Sequence, residues 1–379
     1  MKKRLLPMFL VMMLFFSGTV YGEGFESRAG AAALMESSTG QFLYLKNGDE
    51  QRQPASITKI MTLLLVFEAL ERGDLQWDDQ VTISERAWRL GGSKMWLPIN
   101  EQVPVKDIIY GISIVSANDG CIAMAEHLSG SEEAFVQKMN QRAQELGLTN
   151  TQFKNSTGLP ADGHVMSARD IAVLSHRLIT QFPKILEIES MQEFTFNGIK
   201  QYNRNPLLGR FPGADGLKTG WTTESAYSLA GTALQEGRRL ISVVLNSESE
   251  NERLVASEEL LNHGFRDFRE VKAVAEGAQL GEVNVKNGRK QRVNITVAQD
   301  MTVTVPFGRE NEIALVVTQG DAVVAPVTAG TQVGTLLVQL DGETLTSGPL
   351  ILTEDVGRAN IIVRAFRGLI GFFRGLIGR

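Results

Sequence analysis

The order of apolar and polar positions divides the chain into a mixed first part and a β-rich second part. Near the start, apolar runs at residues 30–35 and 41–46 flank a Ser-Ser-Thr-Gly turn, which predicts a β-hairpin. An apolar stretch with helical spacing then runs from Ser56 to about Arg72 and stops at Gly73, which predicts a helix. Further helices are predicted at 105–113, 121–128, 132–146 and 167–178.

The pattern changes at about residue 213. Apolar or alternating runs at 217–220, 228–234 and 239–245 predict antiparallel strands, and residues 250–265 predict one more helix. Strands at both ends of the segment, with helices between them, predict one α/β (α+β) domain over residues 23–270. Its antiparallel sheet is expected to be assembled from the two ends of this segment, beside a helical block.

After about residue 271 the helical spacing disappears. Short runs with period two, separated by Gly and Asp-Gly turns, predict a small all-β sandwich domain over residues 271–356. The expected strands are 283–285, 291–298, 301–305, 313–318, 322–327, 332–340 and 343–346. This domain contains no catalytic constellation, so a spacer or protein-contact role is the natural interpretation.

Both ends of the chain carry targeting patterns. Three basic residues precede an apolar run at 5–16 and small residues up to Gly22, which predicts a secretory signal peptide over 1–22; an uncleaved anchor is the alternative. Residues 357–379 place arginines on one side of a helix and Phe, Leu and Ile on the other, which predicts an amphipathic membrane-anchor helix. The alternative is a helix docked onto its own domain. We therefore expect an exported protein, peripheral on the outer face of the cytoplasmic membrane.

The composition excludes several classes of protein. An apolar fraction of 43%, a charged fraction of 21% and a net charge of -5 are those of a globular protein and give no case for nucleic-acid binding. One cysteine, Cys121, excludes a disulfide framework and a thiolate metal cluster. The four histidines have no ligand-like spacing, which argues against a metal site and a Ser-His-Asp triad. No metal or cofactor is expected.

The first candidate for chemistry is Ser56-Ile57-Thr58-Lys59, at the predicted helix start. Residues three apart are neighbours on a helix face, and a serine beside an amine that can lose its proton is the minimum for an activated oxygen nucleophile. Alone, the pattern is more often a helix cap. Two further patterns follow in order: Ser116-Ala117-Asn118 in a turn between helices, and Lys218-Thr219-Gly220 in a strand. Ser-x-Asn recurs at 249–251, but after Lys-Thr-Gly.

This set, in this order, is the motif set of the penicillin-binding proteins and class A β-lactamases. The chain resembles the low-molecular-mass penicillin-binding proteins, specifically the D-alanyl-D-alanine carboxypeptidases of the penicillin-binding-protein-5 type (serine peptidase family S11). The resemblance covers nearly the whole length and implies a β-lactamase/transpeptidase-like fold for the first domain. It also includes Ala32-Ala33-Leu34-Met35, Gly92-Ser93-Lys94-Met95-Trp96-Leu97, Asn155-Ser156-Thr157-Gly158-Leu159 and Asp215-Gly216-Leu217.

The resemblance implies a role for each motif residue in the reaction. Ser56 would attack the carbonyl between the two terminal D-alanines of a peptidoglycan stem peptide and form an acyl-enzyme. Lys59 would be the general base, which requires a neutral amine, and burial and a neighbouring cation such as Lys218 would lower its pKa. Ser116 would relay the proton to the leaving amine, and Asn118 would hold the substrate amide.

Five residues would bind the substrate. Lys218 and Thr219 suit its terminal carboxylate, and Gly220 would let the strand edge approach the substrate closely. The backbone amide of Trp221, with that of Ser56, would form the oxyanion hole; other members carry His or Tyr at the position of Trp221. Arg253 is a looser match to an arginine that helps to hold the carboxylate.

The resemblance implies acylation by β-lactam antibiotics and leaves three alternatives. A DD-endopeptidase would cut cross-links instead. A class A-like β-lactamase needs a Glu-x-x-Leu-Asn loop between the second and third motifs, whereas the match at 258–262 follows Lys218 and lies in a predicted helix, which points to coincidence. A membrane-tethered wall-binding or antibiotic-sensing module would lack turnover, but the complete motif set argues against an inactive site.

Overall fold

The computed structural model describes residues 24–320 and 323–365, in two compact units that divide between Phe268 and Arg269. The predicted signal peptide lies outside the described residues. Of the predicted amphipathic tail, only residues 357–365 are described, and within them residues 361–365 are helical. The Asn360 side chain accepts a hydrogen bond from the Val363 N–H at the start of this short helix (2.9 Å).

From residue 24 onward, the first unit contains nine strands and eight α-helices. The strands are β1 (Ala31–Glu36), β2 (Phe42–Lys46), β3 (Gln80–Thr82), β4 (Gln102–Pro104), β5 (Glu193–Phe196), β6 (Ile199–Tyr202), β7 (Ala214–Thr222), β8 (Ala226–Gln235) and β9 (Arg238–Ser247). The helices are α1 (Lys59–Arg72), α2 (Glu85–Arg89), α3 (Val105–Ile114), α4 (Asn118–Ser129), α5 (Glu132–Glu145), α6 (Ala168–Gln181), α7 (Lys184–Glu189) and α8 (Glu250–Asp267).

Five of these strands form one antiparallel sheet in the order β2-β1-β9-β8-β7. The central contact pairs β1 with β9, for example Ala33 with Val243. It joins the first strands of the unit to the last ones, so the prediction of a sheet assembled from both ends is confirmed. The outer strand β7 carries the Lys-Thr-Gly segment to the sheet edge.

The sheet is covered on both faces. Ala33 and Val243 belong to the core shared with the helical block, whereas Leu34 and Leu240 lie against Gly264 of α8. This alternation follows from the two-residue period of side chains along a strand. Helix α1 is buried around almost its whole circumference, as its nearly continuous apolar sequence predicts, so the nucleophile candidate stands at the end of a rigid element.

Several elements differ from their predicted limits. A 3₁₀ turn, Ala55–Thr58, precedes α1, and α1 ends at Gly73 in the left-handed conformation. Helix α4 begins at Asn118 rather than at residue 121, which places Asn118 in its first turn. The short elements α2, α7, β3–β4 and the β5–β6 hairpin were not predicted, because each is too short to show a hydrophobic period.

Up to residue 356 the second unit is all-β, as predicted. Its strands are β10 (Phe268–Val274), β11 (Glu282–Lys286), β12 (Arg292–Val297), β13 (Met301–Pro306), β14 (Ala314–Gln319), β15 (Val323–Val324), β16 (Gln332–Leu340) and β17 (Glu343–Leu352). Six form one sheet in the order β14-β16-β17-β12-β11-β15, and β10 pairs with β13. The β11–β15 pair is parallel. Strand β17 is longer than predicted, because Gly348 and Pro349 interrupt its apolar pattern without ending it.

Candidate active site

Residues from all three motifs line one cleft of about 560 Å³ in the first unit. Its walls are Ser56, Ser116, Arg204, Pro206, Thr219, Gly220, Trp221, Tyr227, Glu250 and Arg253. The 3₁₀ turn supplies the first motif, the α3–α4 connection the second, strand β7 the third, and the first turn of α8 supplies Glu250 and Arg253. The three remaining predicted site residues, Lys59, Asn118 and Lys218, are buried.

The Lys59 amine is aimed at the Ser56 hydroxyl. Lys59 Nζ donates to Ser56 Oγ (2.8 Å) and to the carbonyl oxygen of Thr157 (2.6 Å), and its side chain is 0% exposed. The nucleophile–base distance that an activated serine requires is therefore present. Thr157 lies in a segment that the sequence marked only as a loop, and its contribution comes from the backbone.

Burial is the largest cause of the pKa shift of Lys59. It lowers the pKa of this amine to about 8, and the Arg204 guanidinium acts in the same direction, against Cys121 and Asp119. Arg204 is therefore a further cation that lowers the pKa of Lys59, beside the repulsion between Lys59 and Lys218 that the sequence predicted. Burial also lowers the pKa of Lys218, and the repulsion from Lys59 adds to this shift.

The loop that contacts Lys59 is fixed by its own polar groups. Asn155 Oδ1 accepts from the Gly158 N–H (2.7 Å), and Glu132 Oε1 accepts from both the N–H and the hydroxyl of Ser156 (2.9 Å each). Thr62 of α1 donates its hydroxyl to the Ser156 carbonyl (2.7 Å). These bonds hold the carbonyl of residue 157 in front of the lysine.

The second motif contains the Ser116 hydroxyl, which has no partner among the described residues, and the Asn118 amide, which is hydrogen-bonded. Ser116 has a positive φ of 63°, an uncommon conformation for a residue other than glycine and one that recurs at functional sites. Its buried Oγ has no hydrogen-bond partner among the described residues. Asn118 donates Nδ2 to the Gly91 carbonyl (2.9 Å), and its N–H bonds the Ser93 carbonyl (2.8 Å).

Asp119 fixes the loop that follows Gly91. Its fully buried carboxylate accepts from three consecutive backbone N–H groups at 3.0 to 3.1 Å, those of Met95, Trp96 and Leu97. Three hydrogen bonds to one carboxylate strongly restrict the loop. The rim of the cleft is therefore tied to the first turn of α4.

Gly220 allows β7 to pack against the nucleophile turn. A Cβ on Gly220 would lie 2.8 Å from the Pro54 carbonyl oxygen and 3.3 Å from the Ala55 Cβ. The glycine thus allows a close approach to the protein's own turn; the expected close approach to the substrate stays a prediction. Trp221 is 57% exposed at the cleft mouth, and its ring centroid lies 5.9 Å from that of Tyr227.

Two arginines complete the positive end of the cleft. Arg253 is buried, and its guanidinium carbon lies 5.7 Å from the Tyr227 ring centroid. Arg253, the looser match to the family arginine, therefore also lies at the site. Arg204 lines the cleft and donates to Ser93 Oγ (2.8 Å). Sequence reasoning missed Arg204, because it stands in a polar turn, Asn203-Arg204-Asn205-Pro206, whose pattern indicates only a loop.

The glutamates of the Glu-x-x-Leu-Asn match point elsewhere. Glu258 pairs with Arg210 (3.0 Å) and Glu259 pairs with Arg28 (3.1 Å), both on α8, and neither lines the cleft. In residues 24–320 and 323–365, no group of three or more His, Cys, Asp or Glu could hold a metal ion. Over the same residues, no helix has both the length and the apolar character needed to cross a membrane.

Comparison with known proteins agrees with this architecture. Residues 19–249 match the model of the D-alanyl-D-alanine carboxypeptidase family, peptidase S11, and residues 268–358 match that of the C-terminal domain of penicillin-binding protein 5. The carboxypeptidase DacF of Bacillus subtilis is 37% identical over 95% of this chain and 96% of its own length. DacC of Escherichia coli is 38% identical over 89% of this chain and 86% of its own length.

Solved structures agree as well. Penicillin-binding protein 5 from Haemophilus influenzae superposes with a TM-score of 0.82 at 37% identity, over 89% of this chain and 100% of its own. Penicillin-binding protein D2 from Listeria monocytogenes, solved in the ampicillin-bound form, gives 0.59 at 34% identity over 65% of this chain and 100% of its own. The chain therefore belongs to the peptidase S11 family of D-alanyl-D-alanine carboxypeptidases.

Proposed function

We propose that this carboxypeptidase removes the terminal D-alanine from peptidoglycan stem pentapeptides through an acyl-enzyme on Ser56. The observation that carries the proposal is the 2.8 Å contact between Lys59 Nζ and Ser56 Oγ beside the cleft. A serine nucleophile and a buried amine that acts as its general base are sufficient for acyl transfer, and this chemistry needs no metal.

The reaction begins with a neutral Lys59. Its amine takes the proton of Ser56 as Oγ attacks the carbonyl carbon between the last two D-alanines. The N–H groups of Ser56 and Trp221 stabilise the negative charge that develops on the carbonyl oxygen. The C–N bond then breaks, and the unpartnered hydroxyl of Ser116 relays a proton to the amine of the leaving D-alanine. Water hydrolyses the ester and restores Ser56.

The terminal carboxylate of the substrate selects the scissile bond. In the proposed pose, Lys218 supplies a cation, Thr219 a hydroxyl and Arg253 a second cation for this carboxylate, since charge-assisted hydrogen bonds to a carboxylate are the strong ones. When the substrate binds, the Asn118 amide gives up its hydrogen bond to the Gly91 carbonyl and bonds the substrate backbone instead. A peptide without the free carboxylate is expected to bind poorly, which favours carboxypeptidase over endopeptidase activity.

A β-lactam presents the same elements, an amide carbonyl and a nearby carboxylate, so we infer that it acylates Ser56. The ampicillin-bound relative from Listeria monocytogenes supports this inference. Glu258 and Glu259, the glutamates of the Glu-x-x-Leu-Asn match, do not line the cleft, so the acyl-enzyme is expected to persist.

We also propose that the chain is exported and held at the outer face of the cytoplasmic membrane. The sequence of residues 1–22 supports export, and the basic amphipathic sequence of 357–379 supports peripheral attachment. The exposure of Ile361 (73%) and Ile362 (76%) at the start of the tail is consistent with it. The domain limits, 23–270 for catalysis and 271–356 for the β domain, remain predictions. A chain that ends at Arg358 and still sediments with anionic vesicles would contradict the attachment.

The deciding experiment measures D-alanine release from a stem pentapeptide, with Ser56→Ala as control. The wild-type chain is expected to release one D-alanine per peptide and the variant none. Labelling of Ser56 by penicillin without any D-alanine release would favour the sensing module, and release of cross-linked fragments alone would favour an endopeptidase. Rapid multiple-turnover hydrolysis of penicillin would favour a β-lactamase.

A further inference from the structure

Glu189 is a buried acid close behind the cleft that the mechanism above does not use. It is the last residue of α7 and is 1% exposed, and its Oε2 has no hydrogen-bond partner among the described residues. Its backbone carbonyl accepts from Asn203 Nδ2 (2.9 Å). An unpartnered buried carboxylate is costly, so a counter-charge within the protein is the first thing to look for.

Lys218 is the cation of strand β7 that lies nearest to Glu189. A Cβ on Gly216 of β7 would lie 3.6 Å from the Glu189 Cβ, and Lys218 follows two residues later, on the same face of the strand. Gly220, two residues further, faces the nucleophile turn. Lys218 thus stands between Glu189 and Ser56 along one face of β7, without a direct ion pair to Glu189 within 4 Å.

The charges that act on Lys218 are mostly unfavourable to its proton. Lys59 and Arg204 repel it, and Cys121 is a neutral thiol because burial raises its pKa to about 12. Glu189 is the acid that favours the charged form of Lys218. The attraction is mutual: burial raises the pKa of Glu189, and Lys218 opposes that rise, with a smaller contribution from Ser113. Each group therefore favours the charged form of the other.

We propose that Glu189 is a positioning residue that supplies the buried counter-charge of Lys218 and so keeps this lysine protonated while the nearby base Lys59 is neutral. The inference rests on the proposed role of Lys218 as the cation for the substrate carboxylate. It explains how two buried lysines in one site can hold different charges. α7 places a carboxylate behind Lys218, whereas the hydrogen-bond partners of Lys59 are a neutral hydroxyl and a carbonyl. The Asp119 carboxylate, which also acts on Lys59, is already bonded by three backbone N–H groups.

The first test follows the titration of Lys218 directly. The NMR signals of its ε-methylene group are identified as those that Lys218→Arg removes, and their midpoint is measured in the full chain. Glu189→Gln, a neutral isostere, is expected to move the midpoint to lower pH by about one unit or more. Glu187→Gln is the matched control, because Glu187 is an exposed residue of the same helix. An unchanged midpoint in Glu189→Gln overturns the proposal.

The second test uses the KM for the pentapeptide. At pH 7.5, Glu189→Gln is expected to raise KM about tenfold, since one pKa unit corresponds to a tenfold change in the charged fraction, with a smaller change in kcat. Lys218→Arg, which stays charged, is expected to remove most of this effect in the double variant. A general structural defect would instead raise KM equally with and without Lys218→Arg, and that result contradicts the proposal.

Two further outcomes remain interpretable. If Glu189→Gln does not fold, Glu189→Asp takes its place, because its shorter side chain draws the charge away from Lys218 and moves the midpoint part of the way; no movement overturns the inference. If the wild-type chain releases no D-alanine, the proposed function fails, but the NMR midpoints still decide whether Glu189 controls Lys218.

Discussion

Gly158 lies so close to Ala55 that no side chain fits between them. A Cβ on Gly158 would lie 1.8 Å from the Ala55 carbonyl oxygen, and the φ of Gly158 is +83°. Ala55 itself has a positive φ of 47° and directly precedes the nucleophile candidate Ser56. The loop of residues 155–159 therefore supports the turn that presents Ser56, and its backbone also carries the Thr157 carbonyl that holds Lys59.

Gly158→Ala is expected to displace the nucleophile turn. The new methyl group cannot coexist with the Ala55 carbonyl, and displacements of about 1 Å at a catalytic group can cost about 100-fold in rate. We expect penicillin acylation at least about 100-fold slower than in the wild-type chain. Gly163→Ala is the control, since its φ is also positive (+73°) but its nearest neighbour is the flexible Lys154 side chain at 3.3 Å. Equal acylation rates in the two variants would contradict the supporting role of the loop.

Lys59→Arg tests the need for a neutral amine. Arginine keeps a positive charge but does not give up its proton in proteins, so it cannot take the proton of Ser56. The acylation rate with penicillin is expected to fall about 1,000-fold, within the usual range for a lost general base. Circular dichroism checks that the variant folds. Normal acylation of a folded Lys59→Arg protein would contradict the proposed mechanism.

The pH dependence of kcat/KM is expected to be a narrow bell with its maximum between about 7 and 8. On the acid side, activity rises with pH as Lys59 loses its proton, with a pKa of about 8. On the alkaline side, activity falls as Lys218 loses the charge that binds the carboxylate, because burial and the repulsion from Lys59 lower the pKa of Lys218. Because the two lysines interact, the limbs belong to the pair. A broad plateau from pH 6 to 10 would contradict this assignment.

His164 is expected to make the fold sensitive to acid. It is buried, its Nε2 lies 2.8 Å from Thr58 Oγ1, and its Nδ1 accepts from the Lys154 N–H (3.2 Å). Burial lowers the pKa of His164 to about 4. The unfolded chain therefore binds the extra proton between about pH 6.5 and 4, and the stability that is present above pH 6.5 is lost as the pH falls through this window.

The loss attributable to His164 is up to about 3 kcal/mol. Urea unfolding at pH 7 and pH 4.5 measures it in the wild-type chain and in His164→Gln, where the difference between the two pH values is expected to shrink. His127→Gln is the matched control, because His127 is exposed on α4. An undiminished difference in His164→Gln would contradict the assignment.

Long apolar elements were predictable, and short polar ones were not. Helices α1, α3, α5, α6 and α8 and the strands of the main sheet carry a clear period, so their positions follow from the burial of one face or of all faces. The α2 and α7 helices and the β5–β6 hairpin are too short for a period, and they are held by contacts to the rest of the unit. Glu189 illustrates the consequence, since nothing in the sequence of α7 indicates that it ends behind Lys218.

The sequence by itself determined which residues are the candidates for nucleophile, base and carboxylate ligands and in what order they occur, and the family resemblance implied their roles. It did so because Ser56-x-x-Lys59 is a local arrangement that one helix turn fixes. The tertiary structure alone decided the charge states. Lys59 and Lys218 have the same side chain, and their pKa values depend on burial and on Arg204 and Glu189. These four residues belong to α1, β7, the β6–β7 connection and α7, and they meet only in the folded chain. Desolvation and Coulomb interactions act through distance in space, and the order of residues along a chain does not specify that distance.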